Sequence, residues 1–154
     1  MIDVREVVKT FDGFRALAGL SFHVPKGAVY GLVGPNGAGK STIIRHLTGI
    51  YRQDAGEITI DGAPVFENPA VKGRIAYIPD DLFYFPQASI REMMRFYGGI
   101  YPNFSAQRFE RLAEAFSLDP RAPIRRMSKG MQKQAGFWLA MSQCPDVLIL
   151  DESV

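Results

Sequence analysis

The apolar positions change their period a little past the middle of the chain. Up to about residue 88, short apolar runs alternate with turn residues. Leu20-Ser21-Phe22 and Val29-Tyr30-Gly31-Leu32-Val33 flank Val24-Pro25-Lys26-Gly27, a turn signal between two expected strands. Glu57-Ile58-Thr59-Ile60 runs into Asp61-Gly62, a strand entering a tight turn. Ile75-Ala76-Tyr77-Ile78 is a further short strand that ends at Pro79. From Ser89 the pattern becomes helical. Ser89 with Glu92 three residues later forms a capping box, each side chain satisfying a backbone N–H of the first turn. Phe109, Leu112, Ala113 and Phe116 share one helical face. Another helix opens at Ser128, with Met131, Ala135, Trp138 and Leu139 on one side, and Pro145 stops it before Val147-Leu148-Ile149-Leu150, which has the pattern of a buried strand.

This order predicts an α/β fold in a single domain over residues 1–154. A strand-rich core spans 1–85, a helical subdomain 86–144 and a closing strand 145–154. The length of 154 residues suits one domain, and 47% hydrophobic with 22% charged residues argues against disorder. Eighteen basic against 16 acidic residues leave +2, so no general charge attraction draws nucleic acid or an anionic membrane. One cysteine, Cys144, makes neither an internal disulfide nor a zinc cluster. The opening MIDVREVVKT has no signal-peptide core, and no run approaches the roughly 20 apolar residues of a membrane helix. A membrane role would therefore need another chain.

The chemistry concentrates in Gly34-Pro35-Asn36-Gly37-Ala38-Gly39-Lys40-Ser41, which fits G-x-x-x-x-G-K-[ST] at every fixed position. An apolar run precedes it, and Ser41-Thr42-Ile43-Ile44-Arg45-His46-Leu47 follows with a helical pattern. Glycines let successive N–H groups turn inward around an anion, where a Cβ would obstruct it. The helix adds the positive end of its dipole. Lys40 should reach the β- and γ-phosphates of a nucleotide, and the Ser41 hydroxyl should ligate Mg²⁺. A chance match in a chain of this length arises about once in a hundred. The second element is Leu148-Ile149-Leu150-Asp151-Glu152, an apolar strand ending in two carboxylates. Asp151 suits the Mg²⁺ shell, and Glu152 would orient or deprotonate the attacking water.

Together these residues resemble the nucleotide-binding domain of ABC transporters, over nearly the whole chain. The resemblance implies a P-loop NTPase fold of the ABC ATPase type, with an antiparallel β lobe, a helical subdomain, and ATP and Mg²⁺ as cofactors. Met127-Ser128-Lys129-Gly130-Met131 stands where the family has a signature close to LSGGQ. Ser128 and Gly130 keep the family positions, whereas Lys129 and Met131 depart from them. In the family this signature closes over ATP held by a second domain; Ser128 as a simple helix cap is the alternative. The adenine-stacking position falls on Phe11, with Phe14 as the competing ring. Nucleotide contacts are thus expected from Phe11, Gly34, Asn36, Gly37, Ala38, Gly39, Lys40, Ser41 and Thr42, and across a dimer from Ser128 and Gly130. Asp80 replaces the glutamine that senses Mg²⁺ and water in the family, with Asp81 as the alternative.

The resemblance also implies partners: a membrane-spanning permease subunit and a second ATPase domain, alike or different. It places the protein at the cytoplasmic face of a bacterial membrane. Phe83-Tyr84-Phe85 lies where the family meets its membrane subunit, which predicts an exposed apolar interface. The family continues beyond Asp151 with a communicating loop and a switch histidine, and neither His23 nor His46 stands in that place. The chain is therefore expected to be a fragment, with little ATP turnover by itself. Its function would be ATP hydrolysis powering export, with no nucleic-acid partner expected. The alternatives are a degenerate nucleotide binder and a soluble ABC-type ATPase acting away from transport.

Overall fold

The computed structural model describes residues 1–151. The chain divides into two compact units, Met1–Lys72 and Gly73–Val154.

The first unit is an antiparallel sheet of strands β1 (Ile2–Phe11), β2 (Phe14–Val24), β3 (Ala55–Ile60) and β4 (Ala63–Pro64), in the order β2-β1-β3-β4. Asp12 and Gly13 join β1 to β2 with φ of 45° and 83°, the signs that a two-residue primed turn requires. The turn sets Phe11 opposite Phe14. Asp61-Gly62 joins β3 to β4 as the sequence predicts. A bulge at Glu6 interrupts β1, and Gly56 fits beside it because a Cβ there would collide with the Glu6 carbonyl oxygen. Helix α1 (Lys40–Leu47) buries Ile43, Ile44, His46 and Leu47, and the short helix α2 (Pro69–Lys72) buries Val71.

One expectation fails here. The turn at Lys26-Gly27 forms, with Ala28 N–H donating to the Pro25 carbonyl at 3.3 Å, but no strand follows it. Val29 and Val33 are fully exposed. An apolar run favours burial but does not supply a neighbouring strand, and among the described residues none pairs with it.

The second unit has a parallel pair, β5 (Ile75–Ile78) and β6 (Val147–Leu150), joined through three helices. These are α3 (Ile90–Ile100), α4 (Ala106–Leu112) and α5 (Lys129–Ser142). Ser89 caps α3 through the predicted capping box with Glu92. The core gathers Ile90, Met93, Phe109, Ile124, Trp138 and Leu139. Trp138 stacks on Phe109 at 4.5 Å and donates its indole N–H to the Phe109 carbonyl at 2.8 Å. Helix α4 stops before Phe116, shorter than its apolar face suggests, yet Phe116 still stacks on Trp138. Two further expectations are corrected. Met131 is exposed, because the first turn of α5 precedes the part that enters the core. Strand β6 buries only Val147 and Ile149, leaving Leu148 and Leu150 exposed, so it alternates.

Candidate functional site

The loop from Gly34 to Gly39 runs straight into α1. Gly37 and Gly39 have φ of 84° and 86°, where an L side chain is strained. A Cβ on Gly39 would also stand 2.8 Å from the Ala16 carbonyl oxygen, so β2 lies tight against this end of the loop. Ala38 N–H donates to the Pro35 carbonyl at 3.1 Å and closes a turn around Asn36 and Gly37. Gly39 is the N-cap residue and brings no side-chain acceptor to the helix. The first-turn N–H groups, among them those of Lys40, Ser41 and Thr42, thus have no acceptor within the helix. Lys40 arches over the loop, its Nζ donating to the carbonyls of Gly34 at 2.5 Å and Pro35 at 2.9 Å. One helix end therefore gathers unshared N–H groups, an ammonium and the exposed Ser41 hydroxyl. That combination can hold a multiply charged anion.

The far end of α1 is anchored by His46, only 1% exposed. Its Nδ1–H donates to the Thr42 carbonyl at 2.7 Å, while Nε2 is buried with no hydrogen-bond partner. Burial holds the imidazole below its ordinary pKa and favours its neutral form. Phe11, at the end of β1, meets Tyr51 edge on at 5.3 Å. Phe14 across the hairpin is 66% exposed.

In the second unit, Asp80 and Asp151 lie just past the carboxyl ends of β5 and β6, which pair Ile78 with Leu150. Ligands of open parallel sheets bind at such strand ends. Asp151 N–H donates to the Ile78 carbonyl at 3.0 Å, and the Tyr77 hydroxyl donates to the Asp151 carboxylate at 3.3 Å. The Asp80 carboxylate lies 3.5 Å from the Lys133 ammonium on α5. Ser128 is the N-cap of α5, its hydroxyl accepting Met131 N–H at 3.2 Å. A Cβ on Gly130 beside it would meet nothing closer than the Ser128 hydroxyl at 4.0 Å. Glu152 lies outside the described residues.

A sequence profile described as ABC transporter matches residues 17–154. This chain belongs to the ABC transporter family. The ABC domain is 30% identical over 152 residues to the ABC transporter ATP-binding protein YtrB of Bacillus subtilis, matching 99% of this chain and 52% of that protein. It is 40% identical over 157 residues to the arabinose import ATP-binding protein AraG 1 of Burkholderia cenocepacia, matching 94% of this chain and 31% of the relative. It thus spans about half of the first relative and a third of the second. Among solved structures, an ATP binding subunit of an ABC transporter superposes with a TM-score of 0.89 at 28% identity, over 99% of this chain and 66% of that one. The fold is the P-loop NTPase fold of ABC ATPases.

Further contacts of the ABC domain were not legible from motifs. Tyr77 and Lys133, which meet the two carboxylates, carry no spacing signal of their own. Tyr84 packs inward, its hydroxyl donating to the Gln132 carbonyl at 2.7 Å, so Phe83 and Phe85 turn outward. They line a cavity of about 430 Å³ with Leu82, Met93, Phe96 and Tyr97. Among the described residues no group of three or more His, Cys, Asp or Glu gathers around a metal position. Mg²⁺ needs no such cage, because it keeps waters and takes one or two protein oxygens plus phosphate. The Ser41 hydroxyl and the Asp151 carboxylate are hard oxygen donors of the kind it takes. Among the described residues no helix is long and apolar enough to cross a membrane.

Proposed function

We propose that this ABC domain binds Mg-ATP and that its hydrolysis powers transport through a separate membrane-spanning subunit. The observation that carries the reading is the loop from Gly34 to Ser41, with two left-handed glycines, an uncapped helix end and an arching lysine. Lys40 would exchange its bonds to two carbonyls for bonds to the β- and γ-phosphates, and the N–H groups of the loop and first turn would close around them. Phe11 would take the adenine. Ser41 and Asp151 would hold Mg²⁺, which when bound supplies positive charge at the transferring phosphate. Asp80 would hold metal or water through its carboxylate, and Glu152 would receive the proton of the attacking water. Ser128 and Gly130 would meet the γ-phosphate of a second ATPase domain. Residues 1–85 would act as the ATP-binding core and 86–144 as the helical subdomain.

The outward rings of Phe83 and Phe85 support a permease contact at the cavity they line, and hence a place on the cytoplasmic face of a bacterial membrane. Export, expected from the sequence, gains no support, because the matched relatives include a protein named for arabinose import. The test is made on the whole protein with its membrane subunit. Glu152→Gln should retain ATP binding and lose turnover. Phe83→Ser with Phe85→Ser should retain binding and release the membrane subunit. Full ATPase activity in Glu152→Gln would contradict the assigned base, and loss of folding in the double variant would make these rings core rather than interface.

A further inference from the structure

The ring of Phe11 does not stand alone at the end of its strand. Tyr51 meets it with ring centres 5.3 Å apart and planes inclined by 61°. Tyr51 is in turn fastened to α1. The N–H groups of Ile50 and Tyr51 both donate to the Arg45 carbonyl, at 2.8 and 3.1 Å. The Arg45 guanidinium donates to the Tyr51 hydroxyl at 3.2 Å, and the buried His46 ring meets the Tyr51 ring edge on at 5.7 Å. On the strand side, the Asp54 carboxylate accepts Thr10 N–H at 2.7 Å and Lys9 Nζ at 2.9 Å. Strand end and helix end are thus tied to the same short segment, residues 50–54.

We propose that Tyr51 is a positioning residue for nucleotide-base recognition: it sets the Phe11 ring and links it to the helix whose other end carries Lys40 and Ser41. The proposal rests on Phe11 being the base-stacking ring. Two features separate it from ordinary core packing. Phe11 and Tyr51 both remain partly exposed, so their contact does not bury a core. All the bonds that fix Tyr51 come from the last turn of α1, an eight-residue helix about 12 Å long. Base platform and phosphate loop therefore sit at opposite ends of one rod, and a shift of that rod moves both. A ring already held edge to face loses less freedom when a purine stacks on it.

The experiment measures binding of Mg-ATP and of inorganic tripolyphosphate with Mg²⁺ by calorimetry, on the whole protein. Tyr51→Ala should weaken ATP about two- to tenfold, the range of one aromatic pair, and leave tripolyphosphate unchanged. Tyr51→Phe keeps the ring and should restore ATP affinity. Phe11→Ala combined with Tyr51→Ala should bind ATP no more weakly than Phe11→Ala alone. If Phe11→Ala weakens ATP and Tyr51→Ala does not, the positioning role is wrong. If Tyr51→Ala weakens both ligands equally, Tyr51 only supports the fold and the proposal falls. If Phe11→Ala leaves ATP affinity intact while Phe14→Ala reduces it, the base reading of Phe11 fails first and takes the proposal with it.

Discussion

Two helices of this ABC domain begin at residues singled out for phosphate chemistry, and they begin differently. Helix α1 starts from Gly39 in a left-handed conformation with no side-chain cap, and Lys40 arches back over its own loop. Helix α5 starts from Ser128, whose hydroxyl already accepts Met131 N–H. The first end is open by construction, since glycine brings no oxygen and the N–H groups wait for an outside acceptor. The second end has one of its N–H groups satisfied from within. The two roles of Ser128 are nevertheless compatible: a hydroxyl has two acceptor lone pairs and one donor, so it can keep its cap bond and still donate to a phosphate oxygen. A cap alone therefore does not argue against a phosphate role; what distinguishes them is whether the donor is used.

The contrast can be broken most forcefully at its glycines. Gly39→Ala should cost about 1–3 kcal/mol, because it needs a strained φ and places Cβ against the Ala16 carbonyl. Thermal unfolding of the whole protein will show it as a lower Tm, and ATP affinity should fall as well. Gly130→Ala meets no neighbour within 4 Å apart from the Ser128 hydroxyl and lies in a helix, so stability should stay level or rise by up to about 1 kcal/mol. A Gly39→Ala protein as stable as the parent would mean that the loop yields without strain at this position.

The next effect follows from His46 at the buried end of α1. Its folded pKa lies below the ordinary 6.5, so the unfolded chain binds the proton first. Its contribution is then fully present above about pH 6.5 and lost as pH falls toward the folded pKa, with a slope of at most about 1.4 kcal/mol per pH unit. Chemical denaturation from pH 7.5 to 5 should show this slope, and His46→Asn should flatten it. An unchanged slope in that variant would assign the acid sensitivity elsewhere.

A smaller effect sharpens the α5 side. Ser128→Ala should cost about 1 kcal/mol through the lost cap. Ser128→Asp keeps an acceptor for Met131 N–H and suits the helix dipole, so stability should recover. It also removes the donor and adds a negative charge where the proposed phosphate contact would form. ATP turnover of the assembled transporter should therefore remain low in Ser128→Asp. Normal turnover there would reduce Ser128 to a cap.

How much of this was legible depended on whether a residue's role is local. The phosphate loop declares itself because Gly37 and Gly39 occupy backbone conformations that need glycine at fixed spacing from Lys40. The Ser89–Glu92 capping box is local in the same way. The Asp12-Gly13 turn was equally local and carried its own signal, the Asp-Gly pair, although the strands on either side drew no expectation of a hairpin. The segment Val29–Val33 misled because apolar composition speaks for burial without naming a partner. Met131 misled because a helical face continues past the point where the helix leaves the core. The Phe11–Tyr51 and Asp80–Lys133 contacts join residues far apart in the chain, and no spacing rule reaches them.

The most direct test of the account is calorimetric titration of Mg-ATP into the whole protein and its Lys40→Ala variant. A charged hydrogen bond contributes about 1.5–3 kcal/mol, so the variant should bind roughly ten- to a hundredfold more weakly, with its fold and Tm little changed. Equal affinity in the two proteins would contradict the central claim that the loop from Gly34 to Ser41 is where the nucleotide phosphates are held.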